Sequence, residues 1–166
     1  RFLLTRNHTT LHLVNKLLRQ ILNDNNLKQL SSLVNERGFI FEYSSVMLLE
    51  STTTTNIYKI LEEKLNEIIK QNISIKVNEI DFEHIQHDKT IIKLDNESYP
   101  KYVRCIEIGN NDNNEIFHSK ELCCGTHLIS TKYIDDFLVI RCDDKGNSIK
   151  RLYCLTGDIA HQTRES

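Results

Sequence analysis

Two short stretches of the sequence carry metal-binding residue types at useful spacings. His8-Thr-Thr-Leu-His12 separates two imidazoles by four positions. On a helix that interval puts both on one face, close enough to share an ion. Far along the chain, Cys123-Cys-Gly-Thr-His127 separates a thiol and an imidazole by the same interval. Gly125 between them permits a tight loop that turns both inward. Either half-site alone is weak, because a chance pair of histidines on a helix end, or a buried cysteine, is common without metal. Together they offer one sulfur and three nitrogens, a donor set that suits Zn²⁺ in tetrahedral array. The expected metal ligands are therefore His8, His12, Cys123 and His127. Four protein ligands make a closed site, which is usual for a structural ion, whereas a catalytic zinc keeps one position for water. If the ion takes part in chemistry, Cys123 is the ligand expected to be loose.

Other side chains near these motifs could serve a substrate. Thr9, Thr10 and Thr126 adjoin the ligands and could bind a substrate hydroxyl, the alternative being helix capping or loop bonding. Arg6, Lys16, Lys150 and Arg151 are candidates for phosphate contacts, with surface solvation as the alternative. His84, His87, His118 and His161 are scattered among polar residues and read as surface histidines. Cys105, Cys142 and Cys154 lie in apolar runs and read as small core residues.

The ligands need elements to hold them. Thr9 to about Asn23 repeats apolar residues at helical spacing (Leu13, Val14, Leu17, Leu18, Ile21, Leu22), with Asn7 as a candidate N-cap. Leu30–Val34 and Phe39–Tyr43 flank Asn35-Glu36-Arg37-Gly38 and predict a hairpin with glycine at the turn. The threonine run 52–55 precedes a second amphipathic helix, from about Asn56 to Gln71. Strands are expected at Ile73–Ile80, Tyr102–Ile108, Phe137–Cys142 and Ile149–Leu155. Asp81–Pro100 is expected to be irregular with a short helix. An Asn/Asp-rich loop should follow Gly109, and residues 157–166 should begin a C-terminal helix. There is no internal repeat and no linker. The order predicts an α+β fold, with helices packed on a mostly antiparallel sheet and the zinc site between a helix start and a loop.

Bulk properties narrow the function classes. The 166 residues suit a single domain, and 39% hydrophobic residues can fill its core. The formal net charge of −2 provides no global positive field for nucleic acid, so any RNA contact must come from placed Lys and Arg. No run approaches the roughly 18 apolar residues of a membrane helix, and no membrane partner is expected. Five cysteines without regular spacing make a poor disulfide framework and favour a reducing compartment. Beginning at Arg1, the chain reads as an excised piece of a longer protein, with any targeting peptide upstream.

Arg6-Asn-His-Thr-Thr-Leu-His-Leu-Val resembles the R-x-H-T-A-T-H-L-L opening of alanyl-tRNA synthetase editing domains. Glu121-Leu-Cys-Cys-Gly-Thr-His-Leu resembles their second metal motif, E-L-C-G-G-T-H. Ser32-Leu-Val with Phe41-Glu-Tyr-Ser is similar to the family's G-S-L-V … R-F-D-F-S hairpin. Tyr102-Val-Arg-Cys is similar to its V-R-V-V strand, and Ile149-Lys-Arg-Leu … Thr156-Gly to its V-R-R-I … T-G ending. The likeness runs in order over nearly the whole chain. The Cys-Cys form of the second motif, with Leu128 after His127, and the Ser98-Tyr99-Pro100 segment look most like the mitochondrial enzymes.

The resemblance implies an editing domain that hydrolyses tRNA(Ala) mischarged with serine or glycine, with the tRNA(Ala) acceptor end as partner. Serine differs from alanine by a hydroxyl, so such a site must hydrogen-bond that hydroxyl, because shape alone discriminates weakly. By position in the Q-K-G-S-L-V motif, Gln29 is implied as a catalytic residue beside Cys123. The parent protein would charge tRNA(Ala) with alanine using ATP and Mg²⁺, through an upstream aminoacylation domain, in the mitochondrial matrix or otherwise the cytoplasm. No ATP-binding motif is present here. Departures from the family pattern are Cys124 for glycine, Ser31 for glycine, Ile40 for arginine and Tyr153 for glutamate. The alternatives are a zinc-stabilised tRNA-binding module without hydrolysis, and a freestanding trans-editing protein.

Overall fold

The computed structural model describes residues 1–47, 54–94, 97–110 and 117–166. In chain order the elements are α1 (Phe2–Ile21), β1 (Lys28–Val34), β2 (Gly38–Ser44), α2 (Thr54–Gln71), β3 (Ile75–Asp81) and α3 (Phe82–Ile85). They continue with β4 (Ile91–Ile92), β5 (Tyr102–Ile108), β6 (Ser119–Leu122), a 3-10 turn (Thr131–Ile134), β7 (Phe137–Gly146), β8 (Ile149–Thr156) and α4 (Gly157–Glu165). This is an α+β fold with two four-stranded sheets, ordered β1-β2-β8-β7 and β3-β5-β6-β4. All pairings are antiparallel except β4 with β6. Among the described residues, no helix is long and apolar enough to cross a membrane.

Periodicity explains the packing. On α1, Leu13, Val14, Leu17 and Leu18 are buried, and on α2 so are Leu61, Leu65, Ile68 and Ile69. These stripes meet Phe39, Phe41 and Tyr43 of β2, Leu152 and Cys154 of β8, and Ile106 and Ile108 of β5 in one core. Strand β8 alternates strictly, with every second residue from Lys150 to Thr156 inward. The second sheet buries both faces: Val103 and Cys105 of β5 pack with Ile85, Ile91 and Leu122 in a smaller cluster.

The start of one helix and the role of one glycine differ from the sequence expectation. Helix α1 begins at Phe2 rather than near Thr9, so His8 and His12 lie well inside it instead of at its start. Asn7 is consequently not an N-cap. It is fully buried; its Nδ2 donates to Asn35 O at 2.8 Å, and its Oδ1 accepts from the Thr156 hydroxyl. The hairpin of β1 and β2 forms as expected, but Gly38 is required for a different reason. A Cβ there would fall 1.9 Å from the Cys154 carbonyl oxygen, so β8 approaches too closely for any side chain. The turn itself is held by Asn35, whose Oδ1 accepts from Arg37 N and Gly38 N.

The short strands β4 and β6 and the 3-10 turn carry too few residues to show periodicity, so the sequence does not predict them. Residues 52–53 of the threonine run and most of the Asn/Asp-rich loop after Gly109 lie outside the described residues.

Candidate metal centre

The two half-sites converge. Helix α1 carries His8 and His12 one turn apart, and the loop leaving β6 carries Cys123 and His127. Their four potential ligand atoms all lie within 4.8 Å of one another. The imidazole rings are mutual neighbours, with centroids 4.9 Å (His8–His12), 4.6 Å (His8–His127) and 5.0 Å (His12–His127) apart. Cys123 Sγ lies 3.4 Å from His8 Nε2.

The loop is held from several sides. Cys123 N donates to Arg104 O at 3.1 Å, and the Arg104 guanidinium donates to Cys124 O at 2.7 Å. Gly125 N donates to Cys123 Sγ at 3.4 Å. At the far end Leu128 N donates to Thr9 Oγ1 at 3.1 Å, which ties the loop to α1. Gly125 passes directly over the His8 ring, where a Cβ would fall 2.2 Å from Cε1. Close approach, rather than a tight curl, is what demands glycine there.

The residues fit a bound ion. Both ring nitrogens of His12, Nε2 of His127 and Oε2 of Glu121 are buried without an aligned hydrogen-bond partner among the described residues, a costly state for the two inward Nε2 atoms unless something else satisfies them. Zinc bonds of about 2.0–2.3 Å place tetrahedral ligand atoms roughly 3.3–3.8 Å apart, so small side-chain adjustments would close this group on one ion. The local charges prepare the thiolate. Burial opposes ionisation of Cys123, but the imidazoles of His12, His127 and His8 that surround its sulfur outweigh it and draw its pKa down to about 3. Burial likewise opposes the cation at His12, yet Glu121 and then Cys123 outweigh it and raise that pKa to about 10, so an ion binding there would displace the proton from Nε2 while Glu121 keeps the one on Nδ1. Burial pushes His127 down. Thiolate sulfur and imidazole nitrogen are what Zn²⁺ takes.

The other sequence-derived residues have varied surroundings. Thr9 is buried, and its hydroxyl is shared between Leu128 N and His127 Nδ1, the latter at 3.2 Å. Thr10 is fully buried and donates to Arg6 O at 2.7 Å, a bond within the helix that leaves its hydroxyl no exposed end. Thr126 is exposed, with its hydroxyl 3.0 Å from that of Thr5 and its carbonyl oxygen 3.4 Å from His8 Nδ1. Gln29 is half-buried on β1, beside an irregularity in the register between Gln29 and Ser31.

Two of the four cations expected to meet phosphate point inward instead. Arg6 is buried, with Nε donating to Thr156 Oγ1 at 3.0 Å. Lys150 occupies an inward position of β8 and reaches out only to Asp144, at 2.8 Å. Strand alternation and the early start of α1 decide both. Arg151 pairs with Glu42 at 2.6 Å, and Lys16 is half-buried on α1. Glu121, which contacts His12, and Asn15, which donates to Glu121, are not singled out by the sequence. The available signal was an acidic residue two positions before a ligand, in a strand with a buried face.

A model of the threonyl and alanyl tRNA synthetase second additional domain matches residues 103–153. The chain is 34% identical over 158 residues to the alanine–tRNA ligase of Ehrlichia ruminantium (strain Welgevonden), covering 95% of this chain and 16% of that protein. It is 34% identical over 160 residues to the alanine–tRNA ligase of Buchnera aphidicola, covering 96% of this chain and 17% of that one. It is 31% identical over 166 residues to the mitochondrial alanine–tRNA ligase of Mus musculus, covering 95% of this chain and 16% of that one. The chain thus spans about one sixth of the length of these relatives. With the matched segment running from β5 to β8, and with the likeness to these ligases covering 95% of the chain, the chain belongs to the threonyl and alanyl tRNA synthetase second additional domain family, in the form that alanine–tRNA ligases carry.

Proposed function

We propose that this chain is the editing domain of an alanine–tRNA ligase and hydrolyses the ester of tRNA(Ala) wrongly loaded with serine or glycine. The observation that carries this reading is the convergence of His8, His12, Cys123 and His127, within 4.8 Å, in a chain of this family. In this reading the four residues hold Zn²⁺. When bound there, the ion supplies Lewis-acid polarisation of an ester carbonyl, or else order in the pocket wall.

The chain's own residues do the rest. Thr126, exposed next to His127 and beside Thr5, is the candidate to accept or donate a hydrogen bond with the serine hydroxyl. A site built to bond that hydroxyl leaves a polar group unpaired when alanine enters, which is how it would spare the correct product. Thr9 acts through His127 and Leu128 rather than on substrate, because its hydroxyl is already committed to both. Gln29 is proposed to orient the attacking water, and Cys123 to contribute to the site as a ligand whose hold can loosen. The acceptor end of tRNA(Ala) would meet Lys16 and Arg151, while Arg6, Thr10 and Lys150 act as internal supports. The parent ligase would charge tRNA(Ala) using ATP and Mg²⁺ in an upstream domain. Likeness to mitochondrial enzymes of mouse and rat supports a mitochondrial parent, and likeness to bacterial ones a cytoplasmic alternative.

The test is deacylation of seryl-tRNA(Ala), with Cys123→Ala as control. Wild-type cleavage at least about tenfold above the control is the expected result; equal rates sink the hydrolase reading. The closed four-ligand set favours one second reading, a zinc-stabilised tRNA-binding module without hydrolysis. That module would bind tRNA(Ala) and lose binding on chelation, yet show no cleavage.

A further inference from the structure

All three imidazoles of the centre turn Nδ1 toward an oxygen of the protein. His8 Nδ1 lies 3.4 Å from Thr126 O, His127 Nδ1 lies 3.2 Å from Thr9 Oγ1, and His12 Nδ1 lies 2.8 Å from Glu121 Oε2. A carbonyl or carboxylate oxygen only accepts, so at His8 and His12 the hydrogen of a neutral ring belongs on Nδ1 and leaves the Nε2 lone pair inward; at His12 the 2.8 Å contact is an ion-pair distance that a small ring rotation turns into an aligned bond. His12 is the most buried of the three, and Glu121 beside it is buried as well.

The contact at Glu121 continues along α1. Glu121 Oε1 accepts from Asn15 Nδ2 at 3.2 Å, Asn15 Oδ1 accepts from Arg19 Nε at 3.1 Å, and Arg19 Nη1 donates to Asn25 O at 2.7 Å. Residues 12, 15 and 19 follow one face of the helix. The direction of every bond is dictated by its ends. Arginine only donates and a carboxylate only accepts, so the Asn15 amide has a single orientation that suits both neighbours. A buried carboxylate is costly without partners: Oε1 has Asn15, while Oε2, without an aligned hydrogen bond among the described residues, faces the His12 ring at 2.8 Å.

From this we propose that Glu121 is a positioning residue of the metal centre. It holds His12 in the Nδ1–H form with Nε2 aimed at the ion, and Asn15 and Arg19 hold Glu121 in turn. The proposal rests on the reading of these residues as a zinc site, but not on any hydrolytic activity. Outer partners of this kind are worth about 10–100-fold in metal affinity.

The experiment measures zinc affinity of the full chain by competition with a chromophoric chelator, for wild type, Glu121→Gln and Glu121→Ala. Glutamine keeps the shape but puts an NH₂ where one of two acceptors stood, so a donor faces a donor at either His12 or Asn15. The expected losses are about tenfold for Glu121→Gln and up to about 100-fold for Glu121→Ala, with unchanged circular dichroism. In zinc-loaded wild type, a hydrogen-bonded His12 Nδ1–H resonance should appear in ¹H–¹⁵N spectra and shift in both variants. If Glu121→Ala fails to fold, the shape-preserving Glu121→Gln decides. Affinities within twofold of wild type, or no His12 Nδ1–H resonance in the wild type, overturn the proposal. Zinc binding by none of the three proteins overturns the metal site beneath it as well. Normal wild-type zinc binding without deacylation leaves the proposal standing and removes only the hydrolase reading.

Discussion

At Gly125 the loop backbone lies against the His8 ring with no room for a methyl group, since a Cβ would also fall 2.6 Å from Nδ1. Gly125→Ala must therefore push the ring or the loop, and either movement takes a ligand away from the other three. The loop is at the surface, and Gly125 itself is half-buried, so the fold should tolerate the change. The expected outcome is a zinc affinity lower by at least about tenfold, in a protein whose metal-free melting temperature matches wild type. Titration against a chelator beside a thermal melt checks both parts. Cys124, one position earlier, is exposed and contributes its carbonyl to Arg104. Its replacement of the family's glycine thus leaves the four ligands together.

Helix α1 is the element on which both the fold and the centre depend. Its apolar stripe faces the core, its His8 and His12 face the loop, and its Asn7 reaches the β1–β2 turn and the end of β8. Asn7→Ala removes a donor to Asn35 O and an acceptor for the buried Thr156 hydroxyl. Leaving a buried polar group unpaired costs about 1–3 kcal/mol. Urea unfolding should show a lower midpoint by that amount of stability with an unchanged m-value. An unchanged midpoint would mean that Asn7 only fills space. The position sits just before the ligand His8, so a loosened α1 should lower zinc affinity too, though by less than the loss of Glu121.

On the scale of the whole molecule, the centre joins two parts of the chain more than 110 residues apart, α1 and the loop after β6. An ion bound there stabilises the folded state in proportion to RT ln(1 + [L]/Kd), about 4 kcal/mol at a thousandfold excess over Kd. Chelation of zinc should therefore lower the melting temperature of the wild type by several degrees. Cys123→Ala should melt at the same temperature with or without chelator. Calorimetry of both proteins checks this, and a wild type indifferent to chelator would contradict a bound structural ion.

The four donor side chains, the four-residue spacing of each pair and the α+β class were legible from the sequence, because donor chemistry and periodicity are local properties. The helices, the hairpin and strands such as Tyr102–Ile108 announced themselves by apolar repeats of 3.6 or 2 residues. The start of α1 was not legible, since nothing in Phe2–Asn7 stops a helix and Asn7 looked like a cap until its tertiary partners were visible. The roles of Arg6, Lys150 and Glu121 were hidden for the same reason. Whether a charge faces water, a hydroxyl or an imidazole depends on which strand or helix lies opposite, and that is decided only when the sheets pack. By itself the sequence determined what atoms the chain could offer a metal. The tertiary structure decided that they meet, and which buried groups turn them toward one another.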